Sequence, residues 1–224
     1  YRNLAVIGRG IDTALFHPHR RSRELRHRWG VNDDELVALY VGRLAPEKNL
    51  DMVAESFKAL RSHHHLNARM VWVGDGPARA ELEAQNPDHI FAGMKTGEEL
   101  AAHYASADIF LFPSLSETFG NVTLEAMASG LAVVAYDYAA AAEYVRHGHN
   151  GLTAPFADRQ AFCDLATRLA LEPELVGMLG KNARSDTESM SWDAVCDKFE
   201  HFLLKAVQRG GQDVRESRLL FVPD

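Results

Sequence analysis

The chain has 224 residues, 46% of them hydrophobic and 25% charged, enough to bury the core of one large domain or two small ones. That composition excludes a disordered or fibrous protein. With 24 Lys and Arg against 31 Asp and Glu, the net charge of -7 argues against a surface that covers nucleic acid phosphates, so no nucleic acid partner is expected. Charge is unevenly spread. Residues 1–30 hold Arg2, Arg9, Arg20, Arg21, Arg23, Arg26 and Arg28 against Asp12 and Glu24 only, and the remainder is acidic. Cys163 and Cys196 fall in separate helical segments, a pattern that fits a reducing, cytoplasmic setting and neither a disulfide framework nor a cysteine zinc site. No apolar run approaches the roughly 20 residues that span a bilayer. The start, Tyr1-Arg2-Asn3, is neither an initiator Met nor a signal sequence and reads as the edge of a piece of a longer chain.

Short apolar runs rich in Val, Ile and Phe alternate with longer segments of helical period, the pattern of a parallel sheet covered by helices on both faces. In chain order the spacing predicts strands at Leu4–Ile7, Val37–Val41, Met70–Val73, His89–Phe91, Ile109–Phe112, Ala132–Tyr136 and Gly151–Ala154. Helices are expected between them at Leu50–Ser62, Arg79–Gln85, Glu98–Ala105, Val122–Ser129 and Ala139–Arg146. Three more follow without intervening strands, at Asp158–Leu171, Glu174–Glu188 and Trp192–Gln208. The fold class is α/β, a Rossmann-like parallel sheet with a helical C-terminal tail. Gly130 supplies the left-handed position that ends a helix, and Glu172-Pro173 stops one helix before the next begins. Arg209-Gly210-Gly211-Gln212 breaks the last helix, which divides the chain into a domain at 1–209 and a tail at 210–224. His63-His64-His65 point in different directions at a helix end and read as a solvated cluster, not as a metal site.

In such a fold, ligands sit outside the carboxyl ends of the strands. The first loop there, Gly42-Arg43-Leu44-Ala45-Pro46-Glu47-Lys48-Asn49, combines a close backbone turn with two fixed cations, a device suited to a diphosphate. The alternative is surface charge with an Arg43–Glu47 pair. The second, Val73-Gly74-Asp75-Gly76-Pro77, holds two of the three glycines of a dinucleotide fingerprint and lacks the downstream acid. It reads as a tight turn, with Pro77 as a first helical residue, that also walls a nucleotide site. In the third, Gly93, Met94 and Lys95 would border a flat base or form a plain strand-to-helix connection. The fourth runs Phe112-Pro113-Ser114-Leu115-Ser116-Glu117-Thr118-Phe119-Gly120-Asn121-Val122-Thr123-Leu124-Glu125. A helix starting near Gly120 aims backbone N–H groups at the pocket, a setting for phosphate or developing negative charge. Glu117 precedes that helix and Glu125 lies about one turn inside it.

These loops together resemble the carboxyl-terminal, donor-binding domain of family 4 glycosyltransferases of the GT-B fold, from about Gly10-Ile11-Asp12 to the helix at Trp192. The most specific part is Glu117 and Glu125 with seven residues between them, taken with Arg43 and Lys48. The resemblance implies that Arg43 and Lys48 hold the donor diphosphate, Glu125 the ribose hydroxyls and Glu117 the donor sugar. It implies backbone contacts to sugar and phosphate from Phe119, Gly120, Asn121 and Val122, with Gly42, Gly93, Met94 and Lys95 completing the donor site. It further implies retention of anomeric configuration without a metal or other cofactor, the cations and the helix N-terminus neutralising the leaving nucleoside diphosphate. GDP-mannose is preferred slightly over a UDP-sugar as donor, and the acceptor is a lipid or glycan. Arg9-Gly10-Ile11-Asp12 replaces the family's common Asn-Gly-Ile/Val-Asp, a variant associated with bacterial enzymes similar to mannosyl- and sulfoquinovosyl-transferases of lipid or cell-envelope sugars. The amino-terminal acceptor domain is not in this chain, so the piece alone is expected to be inactive.

Two other functions compete: a nucleotide-sugar epimerase or phosphorylase on a related two-lobed fold, and a nucleotide-sugar-binding module without catalysis. The basic stretch from His17 to Trp29 reads first as a solvated helix. Its second reading is a peripheral contact with anionic lipid at the inner membrane face.

Overall fold

The structure is a computed structural model and describes residues 8–62, 68–116 and 120–210, without the side chains of 208–210. The expected strand at Leu4–Ile7, the His63–His65 cluster, and Glu117, Thr118 and Phe119 lie outside the described residues, as does the tail beyond 210.

Six parallel strands, β1 (Val37–Val41), β2 (Arg69–Val73), β3 (Ile90–Gly93), β4 (Ile109–Phe112), β5 (Ala132–Tyr136) and β6 (Gly151–Ala154), form one sheet in the order β3-β2-β1-β4-β5-β6. All residues of β1, β4 and β5 are buried, which requires cover on both faces and explains why these strands read as unbroken apolar runs. The helices are α1 (Arg23–Arg28), α2 (Leu50–Ser62), α3 (Arg79–Gln85), α4 (Gly97–Ser106), α5 (Asn121–Ala128), α6 (Ala139–Tyr144), α7 (Arg159–Leu171), α8 (Pro173–Glu188) and α9 (Trp192–Gly210). Helix α2 packs against α7, while α5 packs between α4 and α8. Among the described residues no helix is long and apolar enough to cross a membrane.

Several boundaries differ from the sequence expectation for local reasons. Strand β3 extends to Gly93, which pairs with Val73 past an irregularity in the register. His89 stays outside it and accepts a hydrogen bond from Trp72 Nε1 at 3.2 Å. Helix α6 ends at Tyr144, short of Arg146, because the Arg146 amide donates to Asn150 Oδ1 at 2.6 Å and closes a loop. Pro77 is not a first helical residue: Ala78 is the N-cap of α3, so Pro77 lies in the preceding turn. Helix α9 continues through Gly210, one residue beyond the boundary set at 209. The end of α5 is as expected. Gly130, at φ 79°, donates to Met127 O at 3.0 Å, and Leu131 donates to Ala126 O at 3.1 Å, the two reversed bonds that close a helix on a left-handed glycine.

The basic stretch is the main correction. It is only partly a solvated helix: α1 spans six residues and exposes Arg23, Glu24, His27 and Arg28, but Leu25, Arg26 and Trp29 are buried. Arg26 is 1% exposed. Its Nη1 donates to Ser106 O at 2.8 Å and Asp108 Oδ2 at 3.1 Å, and its Nη2 donates to Asn32 O at 2.7 Å. Arg21 reaches the other oxygen of Asp108 at 2.9 Å and donates to Ala107 O at 3.2 Å. Both guanidinium groups therefore sit on the carbonyl end of α4, where the helix dipole favours cations. Asp108 in turn accepts from the Val37 amide at 2.8 Å, while its own amide donates to Val37 O at 2.9 Å. One carboxylate thus joins α1, the end of α4 and the start of β1 and β4. Arg20 is paired with Glu98 and Arg23 with Asp33 at the surface, and Arg21 and Arg26 are engaged by Asp108.

Asp108→Ala leaves Arg26 buried without its counter-charge and is expected to destabilise the fold by about 3 kcal/mol or more, read as a lowered midpoint in urea unfolding; an unchanged midpoint would refute the assignment. The sheet makes a second test. Gly74, at φ 137°, lies so close to the loop after β1 that an added Cβ would stand 1.9 Å from Gly42 O, whereas a Cβ on Gly177 of α8 meets nothing within 4 Å. Gly74→Ala should cost about 2 kcal/mol or more through strain and overlap, and Gly177→Ala should stabilise by about 0.5–1 kcal/mol through helix propensity. Melting temperatures moving in the same direction would contradict this reading.

Candidate active site

In the order β3-β2-β1-β4-β5-β6, the chain reverses direction of winding between β1 and β4. Loops leaving these two strands diverge, and the crevice between them is where α/β sheets bind ligands. The strands are registered at two pairs only, Ala38 with Ile109 and Leu39 with Phe110, against five pairs between β1 and β2. Beyond that point the two loops are joined by side chains. Asn49 Nδ2 donates to Pro113 O at 3.0 Å and Lys48 Nζ donates to Ser116 O at 2.9 Å. A short 3-10 turn at Pro46–Lys48 and the left-handed Asn49, at φ 54°, aim both side chains across the crevice. The first and fourth loops therefore meet, as a shared site requires.

On the β1 side the backbone is built for close approach. The loops after β1 and β2 continue the parallel ladder: the Gly42 amide donates to Val73 O at 3.0 Å and the Leu44 amide to Asp75 O at 2.9 Å, and the Gly74 amide donates to Gly93 O at 2.9 Å. Arg43 remains exposed, and its 3.7 Å approach to Glu47 joins side chains that are 67% and 51% exposed. So open a pair is worth little and leaves the guanidinium available to an anion. The second loop is a structural turn. Asp75 accepts from the Gly76 amide at 2.8 Å and from Arg79 at 3.1 Å, and both bonds, the backbone one foremost, hold its carboxyl below the usual carboxylate range.

Beyond β3, Gly93 takes φ 72° and Met94 is 69% exposed. Lys95 approaches Glu99 at 3.7 Å and lines a groove of about 330 Å³ with Arg28, Trp29, Ala92 and His103. His103 is buried there, and burial holds its imidazole below its ordinary pKa.

Beyond β4, Gly120 is the N-cap of α5 in the left-handed conformation, and an added Cβ would stand 1.9 Å from Ala140 Cβ at the start of α6. Only glycine fits. Among the described residues no side chain caps α5, and its first turn has no acid, so the amides of Asn121 and Val122 and the positive end of the dipole meet no neutralising charge from the helix's own first turn. Glu125 follows as the fifth residue. Its Oε2 accepts from the Tyr104 hydroxyl at 2.9 Å, and burial raises its carboxyl above the usual range while that hydrogen bond pulls it back.

Of the residues singled out in the sequence, the structure brings Gly42, Arg43, Lys48, Gly93, Met94, Lys95, Gly120, Asn121, Val122 and Glu125 to the same carboxyl edge of the sheet. Glu117 and Phe119 lie outside the described residues. Sequence reasoning missed Asn49 as a bridge and Tyr104 as the partner of Glu125. Asn49 had a signal, since a left-handed, non-glycine position after a 3-10 turn favours Asn. Tyr104, on the apolar face of a helix, had none.

The family model of the glycosyl transferases group 1 matches residues 21–186. A sulfoquinovosyl transferase of Arabidopsis thaliana is 33% identical over 88% of this chain and 39% of its own length. A GDP-mannose-dependent alpha-mannosyltransferase of Mycobacterium tuberculosis is 36% identical over 85% of this chain and 48% of its own. The chain thus spans less than half the length of these two relatives. Among solved structures, the C-terminal domain of a glycosyl transferase group 1 family protein from Francisella tularensis is similar with a TM-score of 0.69 at 22% identity, covering 80% of this chain and 97% of that one. That likeness shows the fold, one Rossmann-like lobe of the GT-B type. With the family model spanning the sheet from α1 to α8, the chain belongs to the glycosyl transferases group 1 family.

Proposed function

We propose that residues 1–209 form the donor-binding domain of a retaining, family 4 glycosyltransferase that moves a mannose-type hexose from a nucleoside diphosphate to a lipid or glycan acceptor. The observation that carries this reading is the crevice between β1 and β4, where the loop bearing Arg43 and Lys48 is tied through Lys48 to the loop that leads into α5, whose start no described side chain caps. Two cations and a helix N-terminus suit a diphosphate without calling on a metal. Lys48, held by Ser116 O, would exchange that carbonyl for a phosphate oxygen. As the donor bond breaks, these groups stabilise charge developing on the leaving diphosphate. The departing phosphate takes the acceptor proton on the same face of the sugar, with Glu117 orienting the sugar.

GDP-mannose is the first donor to try, given the name of the mycobacterial relative. The acceptor wall of the cleft belongs to an amino-terminal domain, and the site of action is cytoplasmic, at or near the inner membrane face. The test is calorimetric titration of the chain with GDP, UDP and ADP, and then with their sugars. Failure of all three nucleotides to bind at micromolar to millimolar concentration would refute the reading.

Arg43→Ala and Lys48→Ala should each weaken nucleoside diphosphate binding by about 1 kcal/mol or more through loss of a charge-assisted bond; unchanged calorimetric affinity would remove the diphosphate assignment. The two acids should separate. Glu125→Ala is expected to weaken even the sugar-free nucleotide, and Glu117→Ala to matter mainly when the sugar is attached. Because burial raises the Glu125 carboxyl in the folded protein, its ionisation opposes folding. Its contribution favours the fold below the ordinary carboxylate pKa and is lost as pH rises through the raised folded value. Glu125→Gln should therefore raise the melting temperature at neutral pH while weakening nucleotide binding, and a lowered melting temperature would contradict that account.

A further inference from the structure

The Tyr104 hydroxyl stands 2.9 Å from Glu125 Oε2, yet Tyr104 belongs to none of the loops that carry the donor-site chemistry. Its side chain is 0% exposed. The ring meets Phe16 edge-on, with centroids 5.7 Å apart and planes at 83°, and Phe110 at 5.9 Å. Packing from two elements fixes the direction of the hydroxyl before any ligand arrives. A second acceptor, Val122 O, lies at 3.4 Å. A phenol carries a single proton, and the shorter contact assigns it to the carboxylate.

We propose that Tyr104 is a positioning residue for donor recognition, holding Glu125 Oε2 so that Oε1 is presented to the vicinal hydroxyls of the ribose in a nucleoside diphosphate. This rests on the assignment of Glu125 to ribose made above. The bond does two things that packing alone does not. It locks one rotamer of a three-torsion side chain, so less entropy is lost when ribose binds. It also stabilises the ionised carboxylate inside a partly buried setting that otherwise favours the protonated form, and the ionised form is the stronger acceptor for hydroxyl donors.

A purely structural Tyr104 would tie α4 to Val122 at the start of α5 and would affect stability, not ribose selectivity. The separating experiment is a thermodynamic cycle read by calorimetry with GDP and 2′,3′-dideoxy-GDP, repeated with the uridine pair, on the wild-type chain, Tyr104→Phe, Glu125→Gln and the double variant. Tyr104→Phe should weaken GDP about tenfold, the size of one charge-assisted hydrogen bond, and leave dideoxy-GDP within about twofold. In the Glu125→Gln background it should cost nothing further, and the acid limb of GDP binding should move to higher pH in the Tyr104→Phe single variant. Equal weakening of both nucleotides, or a full effect of Tyr104→Phe retained beside Glu125→Gln, would overturn the positioning role while leaving Glu125 as the ribose ligand. Wild-type protein that binds GDP and dideoxy-GDP alike would overturn the ribose assignment and this inference with it. Melting curves accompany each variant. Should Tyr104→Phe fail to fold, site-specific 3-fluorotyrosine at position 104 keeps the shape and sharpens the donor: the acid limb then moves to lower pH, and an unmoved limb overturns the proposal.

Discussion

The carboxylate of Asp108 is the point on which the arrangement turns. It stands just before β4, accepts from the first amide of β1, and neutralises Arg21 and Arg26, which in turn bind the last carbonyls of α4. Strands β1 and β4 are neighbours in space but distant in the chain, since β1 ends at 41 and β4 starts at 109, so their adjacency is not enforced by any short connection. A buried pair of charges is not cheap stability; its use here is specification. The contacts of Arg26, Asp108 and the Val37 amide require β1 beside β4, and it is between these two strands that the winding reverses.

The opposite end of the same two strands is where that choice becomes chemistry. With registration limited to two pairs, the loops part and are bridged by Lys48 and Asn49 instead of by the sheet. The backbones of the β1, β2 and β3 loops are packed closely, the Gly42 amide donating to Val73 O and the Gly74 amide to Gly93 O, which gives Arg43 a rigid base. The start of α5 is equally fixed, Gly120 being pressed against Ala140. Rigid loops matter because the anion site proposed there would gain most from donors that need no reorganisation. The polar groups face outward from a frame that is apolar and buried on both sides.

Much of this was legible in the residues. Fully buried parallel strands are continuous apolar runs, so β1, β4 and β5 could be placed to the residue. The loops that follow such strands are where ligands bind, and so Arg43, Lys48, Gly120 and Glu125 could be chosen before any geometry was known. The helix ends marked by Gly130 and Pro173 were legible for the same reason, since backbone chemistry is local. The basic stretch from His17 to Trp29 was not. Arg26 looks like solvent-facing charge because Asp108, which neutralises it, is 82 residues further along the chain.

The sequence by itself therefore determined the class of sheet and the loops that line its carboxyl edge, because periodicity and glycine conformation act over a few residues. Tertiary structure alone decided which charges are spent internally and which remain for a ligand. Arg26 is consumed by the core, while Arg43 stays exposed. Tyr104 and Glu125 are 21 residues apart on different helices, and only packing, which pairs side chains by position in space and not by spacing along the chain, made one the partner of the other.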